Sequence, residues 1–216
     1  MNEIQDNVLE KNGEAYTRNL VPGETVYGEE TITVKDEEFR HWSPERSKLA
    51  AALKKGLEAF PLREGSKVLY LGAAQGTTPS HVSDIVGKSG VVYCVEFSER
   101  AMRDLLEVCG SRSNMVPILG DARKPDEYGW VEDVDVIYED VAQPDQVDIL
   151  KRNAEVFLKS PGHAMIAVKA RAIDFAKDPK KIYEEIKPEV EKKFNIKELV
   201  ELDPFEEDHC FIVASF

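Results

Sequence analysis

The chain has 216 residues, 42% of them hydrophobic and 32% charged, enough for one well-buried core with an appendage, and it reads as a soluble globular protein. A formal net charge of −13 repels phosphate backbones, so unaided nucleic-acid binding is not the default reading. No apolar stretch reaches the length of a membrane span, and the polar, acidic start "MNEIQDNVLEKNGE" reads as neither signal nor transit peptide.

Residues 1–42 are set off from the rest as a small antiparallel β subdomain. "TRNLVPGETVYGEETITVKDEEFRHW" carries turn signals at Pro22-Gly23 and Tyr27-Gly28 between short β-branched runs, which predicts hairpins. Ser43-Pro44-Glu45 then supplies an N-cap, a first-turn proline and a first-turn acid. Leu49, Leu53, Leu57 and Phe60 follow as one helix face. From there strands and helices alternate through residues 43–216. Strand "KVLYL" precedes a helix over Pro79–Val86 closed by Gly87. Strand "VVYCVEF" precedes a helix capped by Ser98 and ended at Gly110. Strands "MVPIL" and "VDVIYED" come next, then a helix near Gln146–Leu158, strand "HAMIAVKA" and a charged helix near Pro179–Lys193. "FNIKELVEL" and "HCFIVASF" close the chain as an antiparallel pair. Apolar strands alternating with helices predict an α/β domain with a mostly parallel, seven-stranded sheet covered on both faces. Cys94, Cys109 and Cys210 lack C-x-x-C spacing and read as reduced core thiols of a cytoplasmic protein, and the four scattered histidines form no metal-ligand cluster.

In such sheets ligands gather beyond the carboxyl ends of the strands. The first strand runs into "YLGAAQGTTP", where Gly72-x-x-x-Gly76 departs from the G-x-G-x-x-G of a dinucleotide fold. Its small residues, Gly72, Ala73 and Gly76, allow a ligand to lie against the backbone. Thr77 and Thr78 open a helix whose N-terminus, with two hydroxyl donors, suits a carboxylate. The second strand ends at Glu96, suited to gripping two ribose hydroxyls, with Phe97 beside it as a stacking face. The third ends in Gly120-Asp121-Ala122, where an acid can accept from an adenine amino group. A glycine turn, a solvated acid or a helix cap would explain any one of these alone. Carboxylate, ribose and adenine together describe S-adenosylmethionine, and therefore a class I, Rossmann-like methyltransferase fold.

The chemistry is expected at the ends of the fourth and fifth strands. Asp140 closes "VDVIYED" and Lys169 follows "MIAV". A lysine there either snorkels out of the sheet or is used. Lysine gives up its proton more readily beside another cation, and Lys48 can supply one. His209 begins the last strand; for it and for Lys48 a structural role accounts for the residue equally well. Two basic groups, Arg40, Arg46, Lys48, Lys54 and Lys55, then Lys169, Arg171, Lys177, Lys180 and Lys181, read in the first instance as solvated helix faces.

"WSPERSKLAAAL", "YLGAAQGTTPSHVSDI", "VEFSER", "GDARKP", "YEDVAQPDQ", "IAVKARAID" and "DHCFIV" together resemble the archaeal members of the fibrillarin family, the ribose 2′-O-methyltransferases of box C/D guide RNA particles. The resemblance runs from about Thr17 to the end of the chain. It implies cofactor contacts at Gly72, Ala73, Gly76, Thr77, Thr78, Glu96, Phe97, Asp121, Ala122, Asp140, Val141, Ala142 and Gln143. It also implies a catalytic set of Lys48, Asp140, Lys169 and His209, with no metal. The partners it implies are a Nop-domain scaffold, a kink-turn-binding ribosomal-type protein, a box C/D guide RNA and a target rRNA or tRNA, with no membrane. Delegating target choice to a guide reconciles RNA chemistry with an acidic chain, for which a basic rim suffices. A free-standing methyltransferase of small molecules or proteins, and a non-catalytic particle subunit, stay open as alternatives.

Overall fold

The computed structural model describes residues 2–216. Five short strands come first: β1 (Asn2–Gln5), β2 (Val8–Lys11), β3 (Glu14–Arg18), β4 (Thr31–Val34) and β5 (Glu37–His41). They form one antiparallel sheet in the order β1-β2-β3-β5-β4. Two of its tight turns lie at Asn12-Gly13 and Lys35-Asp36, where both residues take positive φ as the right-handed twist of a hairpin requires. Pro22-Gly23 and Tyr27-Gly28, expected as the hairpin turns, sit instead in the loop from β3 to β4. That loop is folded around the buried Glu29, whose carboxylate accepts from the backbone N–H groups of Val26 and Tyr27.

The second sheet holds β6 (Lys67–Leu71), β7 (Val91–Glu96), β8 (Met115–Leu119), β9 (Val134–Glu139), β10 (Leu158–Lys169), β11 (Asn195–Glu201) and β12 (His209–Ser215). Their order is β11-β12-β10-β9-β6-β7-β8, and β12 alone runs against its neighbours. The helices are α1 (Lys48–Lys54), α2 (Thr77–Val86), α3 (Glu99–Ser111), α4 (Gln146–Phe157), α5 (Ala170–Ile173) and α6 (Pro179–Glu191). Each core strand is apolar on both sides because each side is covered. In β6, Val68 and Tyr70 enter the core shared with α1 and α2, while Leu69 and Leu71 enter the core shared with α4 and α6. Chain order places β7 and β8 on one flank of β6 and β9 on the other, so a crevice opens beyond the carboxyl end of β6.

Helix α1 starts later than the sequence indicates. Ser43-Pro44 forms a turn, with Arg46 N–H donating to the Ser43 carbonyl, and Ser47 is the N-cap, its hydroxyl accepting from Ala50 N–H. Leu57 and Phe60 lie past the helix but are still buried. Ser98 caps α3 and Gly87 ends α2, as expected. Cys94 and Cys210 are buried free thiols; Cys109 is only half-buried.

A buried polar network joins the two sheets. Asp84 of α2 accepts from Arg40 Nη2 (2.7 Å) and Nε (3.0 Å), from Arg112 Nη1 (2.6 Å) and from Thr17 Oγ1 (2.8 Å). Arg40 also pairs with Glu29, and its side chain has no exposure. His81, between Trp42, Thr17 and Tyr27, is driven by burial well below its ordinary pKa, with Arg40 and Arg112 adding to the effect. Its ring is therefore neutral. The network fixes α2, and with it the loop that enters α2.

Candidate active site

The loop after β6 turns sharply. Gly72 has φ +83°, and a Cβ there would stand 2.8 Å from the Asp140 carbonyl oxygen, so only glycine lets β6 and β9 close on each other at this point. Ala74 also takes a positive φ, which aims its N–H at Glu96 Oε2 (2.7 Å), while Ser98 N–H donates to Glu96 Oε1 (2.7 Å). The Glu96 carboxylate is thus aimed by two backbone donors and keeps lone pairs free for hydroxyls. Beside it, Phe97 is 75% exposed and offers an open ring face. Asp121 Oδ1 accepts from Arg123 N–H (2.9 Å), and the Ala122 carbonyl is held by Asn153 Nδ2 (2.8 Å).

Two cavities meet at this strand end. One, of about 280 Å³, is lined by Glu96, Phe97, Asp121, Ala122, Val141, Ala142, Gln143 and Lys169 among others. The other, of about 290 Å³, takes in Lys48, Tyr70, Ala73, Gln75, Thr77 and Thr78. Gly72, Ala74 and Asp140 line both. The end of this second cavity against α2 exposes backbone donors: the N-cap is Gly76, which supplies no side-chain cap, so the first-turn N–H groups of Thr77 and Thr78 are uncapped. Two expectations change here. Thr78 donates its hydroxyl proton to Ser47 Oγ (3.1 Å), so this hydroxyl locks α2 to α1. Gly76 lines neither cavity; a Cβ there would press on Leu105 and Val108 at 3.2 Å, and its role is close packing on α3.

Strand parity assembles the charged group. Tyr138 and Ala167 face the α1 side of the sheet, and two residues on from each stand Asp140 and Lys169. His209 is the register partner of Lys169 across β10 and β12 and therefore points the same way. Lys48 comes from α1 on that same side. It occupies the first helical position, the wrong end of the helix dipole for a cation, which is explained by what it meets. Lys48 Nζ lies 3.3 Å from Asp140 Oδ1 and 3.3 Å from Oδ2. On the other side, Lys169 Nζ lies 2.9 Å from Asp140 Oδ1 and donates to the Asp140 carbonyl (3.0 Å). Asp140 thus stands between the two lysines and pairs with both. His209 is half-buried and lines neither cavity; its Nδ1 lies 2.6 Å from the Glu207 carbonyl, so Nδ1 carries the proton and Nε2 is left free.

The basic rim expected from the sequence is mostly spent within the chain. Arg40 is buried, Lys54 pairs with Glu14, Arg171 with Asp208, Lys177 with Glu185, and Lys180 reaches Glu201. Arg46 lies over the Tyr27 ring at 5.6 Å. Two residues of the site are missed by the sequence reading. Gln146, fully buried, accepts from Lys169 N–H (3.1 Å) and donates to the Gln143 carbonyl (3.1 Å), which ties α4 to β10. Arg123 grips Gln143 Oε1 (2.6 Å) and Asp145. Their motifs, "VAQPDQ" and "GDARKP", stood out, but their side-chain partners lie on the segments that leave β8, β9 and β10, which meet only in the folded chain.

This architecture, a mostly parallel seven-stranded sheet with one reversed strand and a crevice at the carboxyl ends of its strands, is the S-adenosylmethionine-dependent methyltransferase fold. Within that class the chain belongs to the fibrillarin family, whose profile matches residues 3–216. A fibrillarin-like rRNA/tRNA 2′-O-methyltransferase of Methanopyrus kandleri is 54% identical over 202 residues, covering 93% of this chain and 87% of that one. Among solved structures, Aeropyrum pernix fibrillarin in complex with natively bound S-adenosyl-L-methionine has a TM-score of 0.87 and 49% identity, covering 96% of this chain and 92% of that one. A fibrillarin/Nop5p complex gives a TM-score of 0.92 at 42% identity, with both chains covered in full.

Proposed function

We propose that this protein is the catalytic subunit of a box C/D guide RNA particle, transferring methyl from S-adenosylmethionine to guide-selected ribose 2′-hydroxyls of rRNA and tRNA. The observation that carries the reading is the pairing of Lys48 and Lys169 on one carboxylate, Asp140, where the two cavities meet. Methylation of a carboxylate or a thiol requires no such set, because those acceptors are already ionised or nearly so; an alcohol must lose its proton as it reacts.

The residues fit the cofactor from end to end: first-turn N–H groups of α2 and the Thr77 hydroxyl for its carboxylate, Glu96 for its ribose, Asp121 and Phe97 for its adenine. When bound, S-adenosylmethionine supplies an electrophilic methyl on a sulfonium. Lys169, in its neutral form, accepts the 2′-hydroxyl proton as the carbon–oxygen bond forms. A carboxylate is a poor base for an alcohol, so Asp140 serves to aim the amine, and Lys48 fixes Asp140 from the opposite side. His209 presents Nε2 to the ribose or its base. Alignment of these groups supplies much of the rate.

The RNA is brought by partners. A Nop-domain protein is the scaffold, a role supported by the complex of a 42%-identical fibrillarin with Nop5p. A kink-turn-binding protein and the guide RNA complete the particle. A net charge of −13 with most rim cations already paired leaves the isolated chain little hold on RNA. The test is methyl transfer from labelled cofactor to a target RNA, with and without scaffold, kink-turn protein and guide. Transfer at the guided nucleotide by the complete set alone is expected. Site-specific transfer by the isolated chain, or none by the complete set, would overturn the reading.

A further inference from the structure

The loop between β11 and β12 carries an arrangement that neither the cofactor nor the lysine pair explains. Asp208, immediately before His209, takes φ +60°, a left-handed conformation that a side chain other than glycine, asparagine or aspartate resists. Its carbonyl accepts from Ala170 N–H (3.1 Å), and its carboxylate accepts from Arg171 Nε (2.7 Å). Ala170 and Arg171 directly follow Lys169 in the chain. Arg171 is itself fixed, donating through Nη1 to the Phe175 carbonyl (2.6 Å). The turn at Asp208 is thus sewn to the residues that follow the proposed base.

The consequence falls on His209. Its Nδ1 reaches back to the Glu207 carbonyl across the kink that Asp208 makes, and its own carbonyl accepts from Leu202 N–H (3.0 Å). A relaxed backbone at 208 would swing the Glu207 carbonyl away from the ring. The imidazole would then lose both its tautomer and its direction toward the Lys169 side of the sheet. Glu206, one step earlier, lies 3.9 Å from Lys48, so the same short loop also approaches the other lysine.

We infer that Asp208 and Arg171 form a clip that positions His209 over the reacting ribose and fixes which of its nitrogens is free. They are positioning residues for the methyl transfer, and the assignment rests on the ribose methylation reading above. An exposed ion pair of this kind adds little to stability, its side chains being 41% and 33% exposed; its effect is geometric.

The experiment combines histidine ¹⁵N NMR on the whole chain with guided methylation at saturating RNA and cofactor. His209 is assigned by the signal lost in His209→Gln. In the parent chain, His209 is expected as the single Nδ1–H tautomer. Asp208→Gly keeps the backbone turn but removes the carboxylate half of the clip, and Arg171→Gln removes it from the other side. Both are expected to give mixed tautomers and a kcat lower by about tenfold to a hundredfold, with cofactor affinity unchanged. Asp208→Asn tolerates the positive φ and still accepts from Arg171, so it is expected to keep most of both signals. If Asp208→Gly keeps the parent tautomer, or keeps the parent kcat, the clip is overturned. If the parent itself fails to methylate guided RNA while the tautomer still shifts in Asp208→Gly, the ribose methylation reading falls and the local geometry stands.

Discussion

Asp84→Ala removes the one anion that holds two buried guanidinium groups. In the folded chain Asp84 Oδ2 accepts from Arg40 Nε (3.0 Å), Arg40 Nη2 (2.7 Å) and Thr17 Oγ1 (2.8 Å), and Oδ1 accepts from Arg112 Nη1 (2.6 Å) and Leu20 N–H (3.1 Å). With alanine there, Arg40 retains Glu29, but Arg112 is left with the Ser80 carbonyl and Ser83 hydroxyl, both at 3.3 Å, and no buried counter-charge. Breaking a buried pair from one side costs about 3–5 kcal/mol, because the partner's charge stays in a dry interior. For a chain of this size each kcal/mol moves Tm by about 2–4 °C, so the expected drop is about 6–20 °C by calorimetry. Asp84 lies in the helix whose first-turn N–H groups are proposed to take the cofactor carboxylate, so cofactor affinity should fall in parallel. Asp84→Asn, which keeps the shape and two of the acceptor sites, should lose less. A drop in Tm below about 3 °C for Asp84→Ala would refute the view that this network holds α2 in place.

Lys169→Ala is expected to bind cofactor normally and to lose methylation with every guide; near-parental rates at saturating cofactor and guide would remove Lys169 as the proton acceptor. Thr77→Ala should weaken cofactor binding by about 1–3 kcal/mol in isothermal titration if its hydroxyl joins the carboxylate site. Thr78→Ala should act through the lost Ser47 contact, and so lower Tm more than affinity. His81 is held neutral by burial, so only the unfolded chain takes up its proton as pH falls below about 6.5. Stability is thus complete above that value and declines below it, and denaturant titrations of His81→Gln should show this acid limb flattened. Glu139 is fully buried with neither carboxylate oxygen hydrogen-bonded, and burial raises its pKa well above 4.5, with Asp140 and Asp145 adding to this. Its penalty is absent at low pH, where the unfolded carboxyl is protonated too, and grows as pH rises past 4.5. Glu139→Gln should therefore gain stability at neutral pH relative to acid, and a gain that does not change with pH would contradict this.

The alternation of strands and helices is legible in the sequence because strands covered on both faces must be continuously apolar, and because Ser98 and Gly87 mark helix ends through local chemistry alone. The positions of Gly72, Glu96, Asp121, Asp140 and Lys169 are legible for the same reason: each ends an apolar run or stands within two residues of one, and strand ends are where this fold places ligands. Whether those side chains meet is another matter. Lys48 reaches Asp140 only because α1 packs on the face that strand parity gives to Asp140, Lys169 and His209, a result of register among β9, β10 and β12 that no local pattern encodes. The basic groups make the same point. Arg40 and Arg46 look alike in sequence, yet one is sealed against Asp84 and Glu29 and the other lies over an aromatic ring. The helix start passes from Ser43 to Ser47 because Ser47 has both Ala50 N–H and the Thr78 hydroxyl to satisfy, and Thr78 arrives from α2. Local propensity nominates caps, turns and charged residues. Which of them are used depends on partners distant in the chain, and those are set when the sheet closes.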